Sequence, residues 1–425
     1  MKINRLLFTF FLLAVSLMAA QAQNRPIKEG IWRGVFKVGE TDVPFNFEVK
    51  SKAENQIVLT AINGERRDDF SAKYISKDSL QVTLNTFEAA LFAKVESDGT
   101  LTGIHKSLLP GVVKEIPFTA QPDKNYRFIE PGKEAKPSAD ITGKWLVKIQ
   151  SEKPVADRVA VFEQKGNKLN GIILSVTGDS RELQGDVQGD EFILSGFTGS
   201  SPSYVKGKII DGKSIEGAIG YGTNATKFQG IKDDNAALAD AYSLTFLKPG
   251  YDKLDFTFPD LNGKQVSLSD EKYKGKVVII ELMGTWCPNC IDQVSFLAPW
   301  YKENKDKGVE AIGLAFEAKD DFEFAKRTLT KLKTRYDVQY DLLFAGKADK
   351  AEVAQKLIAL KEFIAFPTTI IVGRDGKVKE IHTGYSGKGT GKFYDDYVNK
   401  WNEDLGKLIA EPVPQSFSSI SKSSN

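Results

Sequence analysis

Apolar and polar side chains alternate through GIWRGVFKVGETDVPFNFEV from Gly30, and the alternation returns about 113 residues later in GKWLVKIQSEKPVADRVAVFEQ from Gly143. A period of two puts one face of a strand in a core and the other in water. Further on, SLQVTLNTFEAALFAKVESDGTLTGI (79–104) lines up with EFILSGFTGSSPSYVKGKIIDGKSIEGAI (191–219). Each contains a strand pair closed by an Asp-Gly turn, Asp98-Gly99 in one and Asp211-Gly212 in the other. Such turns between alternating runs mark antiparallel hairpins. The pattern therefore predicts two tandem β-rich domains, each a small barrel or sandwich. Two copies are too few for a solenoid.

After KDDNAALADAYSLTFLKPG (232–250) the pattern changes to strands alternating with helices. Strands are predicted at 277–282, 309–316, 368–372 and 379–383, and helices from about Pro288, near 320–334, near 349–360 and over about 390–409. That alternation signals an α/β sheet. The expected organisation is multidomain: a leader over 1–22, a first β-rich domain over 23–137, a second over 138–245, an α/β domain over 246–410 and a disordered tail over 411–425. The segment EPGKEAKPSAD (130–140) is the expected linker between the β domains.

The first residues, MKINRLLFTFFLLAVSLMAAQAQ, place Lys2 and Arg5 before an apolar run and a small-residue Ala-Gln-Ala pattern ending at Ala22. This is the form of a secretory signal peptide cleaved after Ala22. The apolar run is shorter than the roughly 18 residues a membrane span needs, and no later segment is long and apolar enough, so no span is expected in the mature chain. Losing Lys2 and Arg5 takes the formal net charge from +2 to zero. That argues against nucleic acid or an anionic membrane as the main partner. Export leads to an oxidising space, where disulfides used as staples would be several and scattered. The chain has two cysteines, both within GTWCPNC (284–290), which fits chemistry better than stapling.

GTWCPNC lies between an apolar strand and an amphipathic helix, placing Cys287 at a helix N-terminus. Free N–H groups and the helix dipole there favour a thiolate, lowering the thiol pKa from its usual value of about 8.5. Pro288 takes the first helical position, where its missing N–H costs nothing. Cys290 lies one turn on, on the same face, within bonding reach. Such a pair can attack a partner's disulfide with Cys287 and release it with Cys290.

With these residues in view, 252 to 405 resembles a thioredoxin-fold domain of the TlpA and ResA type, the periplasmic thiol-disulfide oxidoreductases of the redoxin group. FTFPDLNGKQVSLSDEKYKGKVVIIELMGTWCPNC resembles that family's lead-in, first central strand and active-site helix. FPTTIIVGRDGKVKEIHTGYSG resembles its second half. The resemblance implies that Cys287 is the nucleophile, Cys290 the resolving thiol and Pro367 a cis proline that docks substrate. It also implies that Glu281, six residues before Cys287, is a partly buried acid that takes the proton from Cys290. Trp286, Pro288 and Phe366 complete the expected substrate-docking surface. Phe366 is bulky for its position and Leu282-Met283 replaces an aromatic pair; Pro299 comes late in its helix.

Other chemistries fit less well. A structural CxxC bond closes too short a loop to stabilise much. The two histidines, His105 and His382, stand in different domains without metal-ligand spacing, and both are expected to be plain surface or strand residues. A peroxidase pattern would need proline at the Ile280 position and Thr or Ser at Gly284. SGKGTGK (386–392) misses a phosphate loop because Phe393 follows Lys392; it is expected to be a turn and helix start. The Gly-x-Trp triplets vaguely resemble lipocalin-like barrels but more often mark a tryptophan plugging a core.

The expected function is an exported disulfide reductase, periplasmic rather than released because a dithiol needs an electron source nearby. Its expected partners are protein disulfide clients and an upstream thiol donor, a membrane reductase system; no cofactor and no metal are called for. Two alternatives stay open: a binding or docking protein whose β domains engage a partner or apolar ligand, and a disulfide-donating oxidase.

Overall fold

The computed structural model describes residues 26–53, 56–84, 87–109, 115–152 and 155–415. The leader expected over 1–22 lies outside them, as does most of the expected tail.

Eight antiparallel strands, Gly30–Val38, Thr41–Ala53, Gln56–Asn63, Arg66–Tyr74, Ser79–Thr83, Ala89–Val95, Leu101–Ser107 and Glu115–Pro122, form a closed barrel. The last strand closes on the first, with Trp32 opposite Pro122. The repeat does the same. Gly143–Ile149, Arg158–Lys165, Lys168–Ser175, Leu183–Gln188, Glu191–Gly196, Ser203–Ile209, Ser214–Tyr221 and Asn224–Lys232 close with Lys232 opposite Trp145. A ninth, two-residue strand, Gly178–Asp179, pairs back onto Leu174–Ser175. Closure removes the sheet edges that alternating strands would otherwise expose.

The two tryptophans explain why the repeat begins as it does. Trp32 and Trp145 are both fully buried, and each indole N–H donates to the carbonyl four residues earlier, Lys28 and Ile141, at 2.9 Å in both cases. The polar atom is thereby satisfied while the ring fills the barrel end. In the first barrel Phe45 stacks on Phe36 and Phe47. A cavity of about 10 Å³ remains among Phe45, Phe47, Leu91 and Phe118, which is about one water's worth of space. His105 is buried against Phe36 inside the first barrel, so this histidine is a strand residue but not a surface one.

The α/β fold has a five-stranded sheet. Its strands are β1 Val277–Met283, β2 Val309–Glu317, β3 Asp341–Lys347, β4 Thr368–Val372 and β5 Val378–Thr383, in the order β3-β2-β1-β4-β5. β1, β2 and β3 run parallel, and β4 and β5 antiparallel to their neighbours. The helices are α1 Pro288–Asn304, α2 Phe322–Tyr336, α3 Lys350–Lys356 and α4 Lys392–Ala410.

Every residue of β1 is buried, as expected of a strand covered on both faces. Val277, Ile279 and Met283 pack with α1, α2 and α4, while Val278, Ile280 and Leu282 pack with α3 and the lead-in residues Phe256, Val266 and Tyr273. Two details differ from the sequence reading. β3 was not anticipated: its apolar run, LLFA, is too short to show a period. The third helix stops at Lys356, and Leu360–Lys361 then pairs with Phe246–Leu247. His382, on β5, is largely buried between Tyr242 and Tyr397, and burial pushes its pKa down to about 4.

The second barrel and the α/β fold share one compact unit, which also takes in Asn63–Arg66; the first barrel forms the other.

Candidate active site

β1 delivers the chain to its C-terminal end, where Gly284-Thr285-Trp286 turn into α1. Gly284 is needed there, since a Cβ would lie 2.6 Å from the Phe316 carbonyl. Cys287 is the N-cap of α1, and its sulfur accepts from the Cys290 N–H at 3.3 Å. Pro288 opens the helix. Cys287 and Cys290 form a disulfide, with Cα atoms 5.3 Å apart. The sulfur of Cys287 thus sits among the unpaired amides of a helix start, where a thiolate is favoured.

Cys287 is 5% exposed and Cys290 fully buried. The Cys287 sulfur faces the Phe366 carbonyl at 3.7 Å, and the Phe366–Pro367 peptide is cis. Trp286, 40% exposed, donates its indole N–H to the Phe316 carbonyl at 2.9 Å and stands edge-on to Phe366. The structure therefore gathers Trp286, Cys287, Pro288, Cys290, Phe366 and Pro367 at one end of the sheet.

Glu281 sits on β1 among residues of the α1-facing side, opposite Thr369 of β4. It is fully buried, neither carboxylate oxygen has a hydrogen-bond partner, and burial pushes its pKa up to about 8. Gln293 of α1 donates to the Thr369 hydroxyl at 2.5 Å, beneath the cysteines.

Two groups escaped the sequence reading. Glu317, the last residue of β2, is buried and accepts from the Thr285 N–H (3.1 Å) and hydroxyl (2.8 Å). Burial outweighs these bonds and raises its pKa to about 7. An acid ending an apolar strand beside the redox loop was the available signal. The second group is Asp292 on α1. Burial would raise its pKa, but the guanidiniums of Arg181 (2.8 Å) and Arg66 (2.9 Å) outweigh that and hold it below the usual range. Arg181 gave no local signal, lying 111 residues from its partner.

Comparison with known proteins decides the family. A thiol-disulfide oxidoreductase ResA of Bacillus cereus is 32% identical over 164 residues, spanning 39% of this chain and 79% of that protein. The chain belongs to the ResA-like thiol-disulfide oxidoreductases. ResA of Bacillus subtilis is 27% identical over 165 residues, spanning 39% of this chain and 80% of that protein, and residues 249–381 match the AhpC/TSA family. Among solved structures, a putative thiol:disulfide interchange protein DsbE from Chlorobium tepidum is 21% identical, with a TM-score of 0.28, covering 36% of this chain and 98% of that one. By its ResA relatives and family match this chain is a redox enzyme, with a thioredoxin fold that follows two β barrels in sequence. Among the described residues no helix is long and apolar enough to cross a membrane.

Proposed function

We propose that this protein is an exported disulfide reductase that acts on protein clients of the cell envelope through Cys287 and Cys290. The observation that carries the reading is the Cys287 sulfur at the start of α1, bonded to Cys290 and facing the Phe366–Pro367 turn.

In the dithiol form the Cys287 thiolate attacks one sulfur of a client disulfide, joining the enzyme to the client and releasing the client's other sulfur as a thiolate. Cys290 then loses its proton and attacks the Cys287 sulfur, freeing the second client thiolate and leaving the Cys287–Cys290 disulfide. Two electrons pass to the client, and an upstream thiol donor, a membrane reductase system, returns them.

Glu281 is the proton acceptor for Cys290. With its pKa near 8 it is matched to a thiol of ordinary pKa about 8.5, so transfer between them is nearly balanced. Trp286, Pro288, Phe366 and Pro367 form the docking rim. The leader over 1–22 directs export to the periplasm, and the organisation follows the boundaries given above.

Cys290→Ser leaves Cys287 able to attack and unable to be released, so it accumulates client mixed disulfides on non-reducing gels; no trapped client overturns the exchange route. Direction is read from the reduction potential of the couple in glutathione or dithiothreitol buffers. A value near about −250 mV supports a reductase, and one near about −120 mV makes the protein a disulfide donor.

A further inference from the structure

The second barrel reaches the redox helix through one loop. The chain turns after Ser175 into the two-residue strand Gly178–Asp179, and Asn289, between the two cysteines, meets its Asp179 backbone. In the amide orientation that satisfies both its ends, Asn289 donates to the Asp179 carbonyl (3.3 Å) and accepts from the Asp179 N–H (3.2 Å). A side-chain amide stands where a neighbouring strand's peptide would.

Two glycines make the approach possible. Gly178 has φ +135°, and a Cβ on it would fall 1.9 Å from the Asn289 amide; Gly384 has φ +83°, and a Cβ there would fall 2.6 Å from the Val176 carbonyl. Arg181, 5% exposed, then locks the loop. Its Nε donates to the Asp292 carboxylate (2.8 Å), Nη2 to the Pro288 carbonyl (2.6 Å) and Nη1 to the Thr198 hydroxyl (2.6 Å). The Asp179 carboxylate accepts from the Gly387 N–H at 2.7 Å.

The loop thus lies on the Pro288-Asn289 turn and on Gly384–Gly387, and Gly384 donates to the Pro367 carbonyl at 2.8 Å. Trp286, next to Cys287, stays 40% exposed, and Phe366 is half-buried. We propose that the Val176–Glu182 loop of the second barrel, pinned by Arg181, is a fixed wall of the reaction site that sets which client disulfides reach Cys287. It admits disulfides in narrow, extended segments passing over Trp286 and Phe366, and it turns away disulfides framed by a folded body. Arg181 is a positioning residue in this scheme. The inference rests on the exchange reading above.

The test compares the reduced full-length protein with Arg181→Ala and Asp179→Ala on two substrates, insulin as a protein disulfide and oxidised glutathione as a small one. Opening the wall raises kcat/KM for insulin by about tenfold while oxidised glutathione changes by less than about twofold. Parallel changes on both substrates, or none on either, overturn the wall. Near-UV circular dichroism reports whether each variant folds. Should Arg181→Ala fail to fold, Asp179→Ala, which keeps the Arg181–Asp292 pair, carries the comparison. A wild-type protein inert toward both substrates overturns the exchange reading, and this one with it; a wild type active on oxidised glutathione with an unmoved substrate ratio in the variants overturns this one alone.

Discussion

Glu281 is a buried carboxyl with nothing to bond to, and a lone buried charge is expensive. Its pKa rises from the ordinary range to about 8. Between those two values the native state keeps a proton that the unfolded state releases, so this group's stabilising contribution is complete at low pH and is lost as pH rises through 8. Glu281→Gln removes the dependence. Denaturant titrations at pH 5, 6.5 and 8 are expected to show the wild type losing up to about 1.4 kcal/mol per pH unit relative to the variant, while the variant resolves mixed disulfides more slowly. A pH-independent difference would place the carboxyl in water. Glu281 was legible through the resemblance to the TlpA and ResA type, which implies an acid six residues before the first cysteine. Glu317 and Asp292 were not read at all: Glu317 is defined by its bonds to Thr285, and Asp292 by Arg181, 111 residues away.

The repeating element is the strand-opening tryptophan. Trp145→Ala removes a fully buried ring and leaves the Ile141 carbonyl without its indole donor. It should cost about 3–5 kcal/mol in urea unfolding followed by far-UV circular dichroism, and a loss under about 1 kcal/mol would mean the barrel end collapses onto the gap. These strands were readable because alternation with Asp-Gly turns is a short-range signal. The choice between barrel and sandwich was not, since pairing Trp32 with Pro122 or Trp145 with Lys232 joins the two ends of each repeat. β3 was missed for the opposite reason: it is held by its parallel partner β2, and its own sequence carries too few alternations to show it. The third helix was overdrawn because helix formers continue past Lys356, while pairing with Phe246–Leu247 takes Leu360–Lys361 into a strand.

At the scale of the molecule, the second barrel and the catalytic fold are one compact unit, tied by a buried ion pair. Removing Arg181 leaves Asp292 paired with Arg66 alone, so the cost falls below the roughly 3–5 kcal/mol of breaking a buried pair outright. A calorimetric scan of the wild type is expected to show this unit melting in one transition, and Arg181→Ala to split it, with the catalytic fold and the barrel unfolding at separate temperatures. Two transitions already present in the wild type would show that the pair does not couple them. A change of pattern near residue 245 was visible in the sequence; the tie between its two sides was not, because Arg181 and Asp292 lie over a hundred positions apart.

The Asn289–Asp179 contact has a further consequence. The residue that holds the barrel lies inside the ring of atoms that opens when the disulfide is reduced, so docking and oxidation state draw on the same free energy. By thermodynamic reciprocity, any preference of the loop for one redox form must appear, with equal size, as a displacement of the midpoint potential. A ligand gripping the barrel near Thr177 would then tune the electron-transfer equilibrium without touching either sulfur, and an electrode would register its arrival.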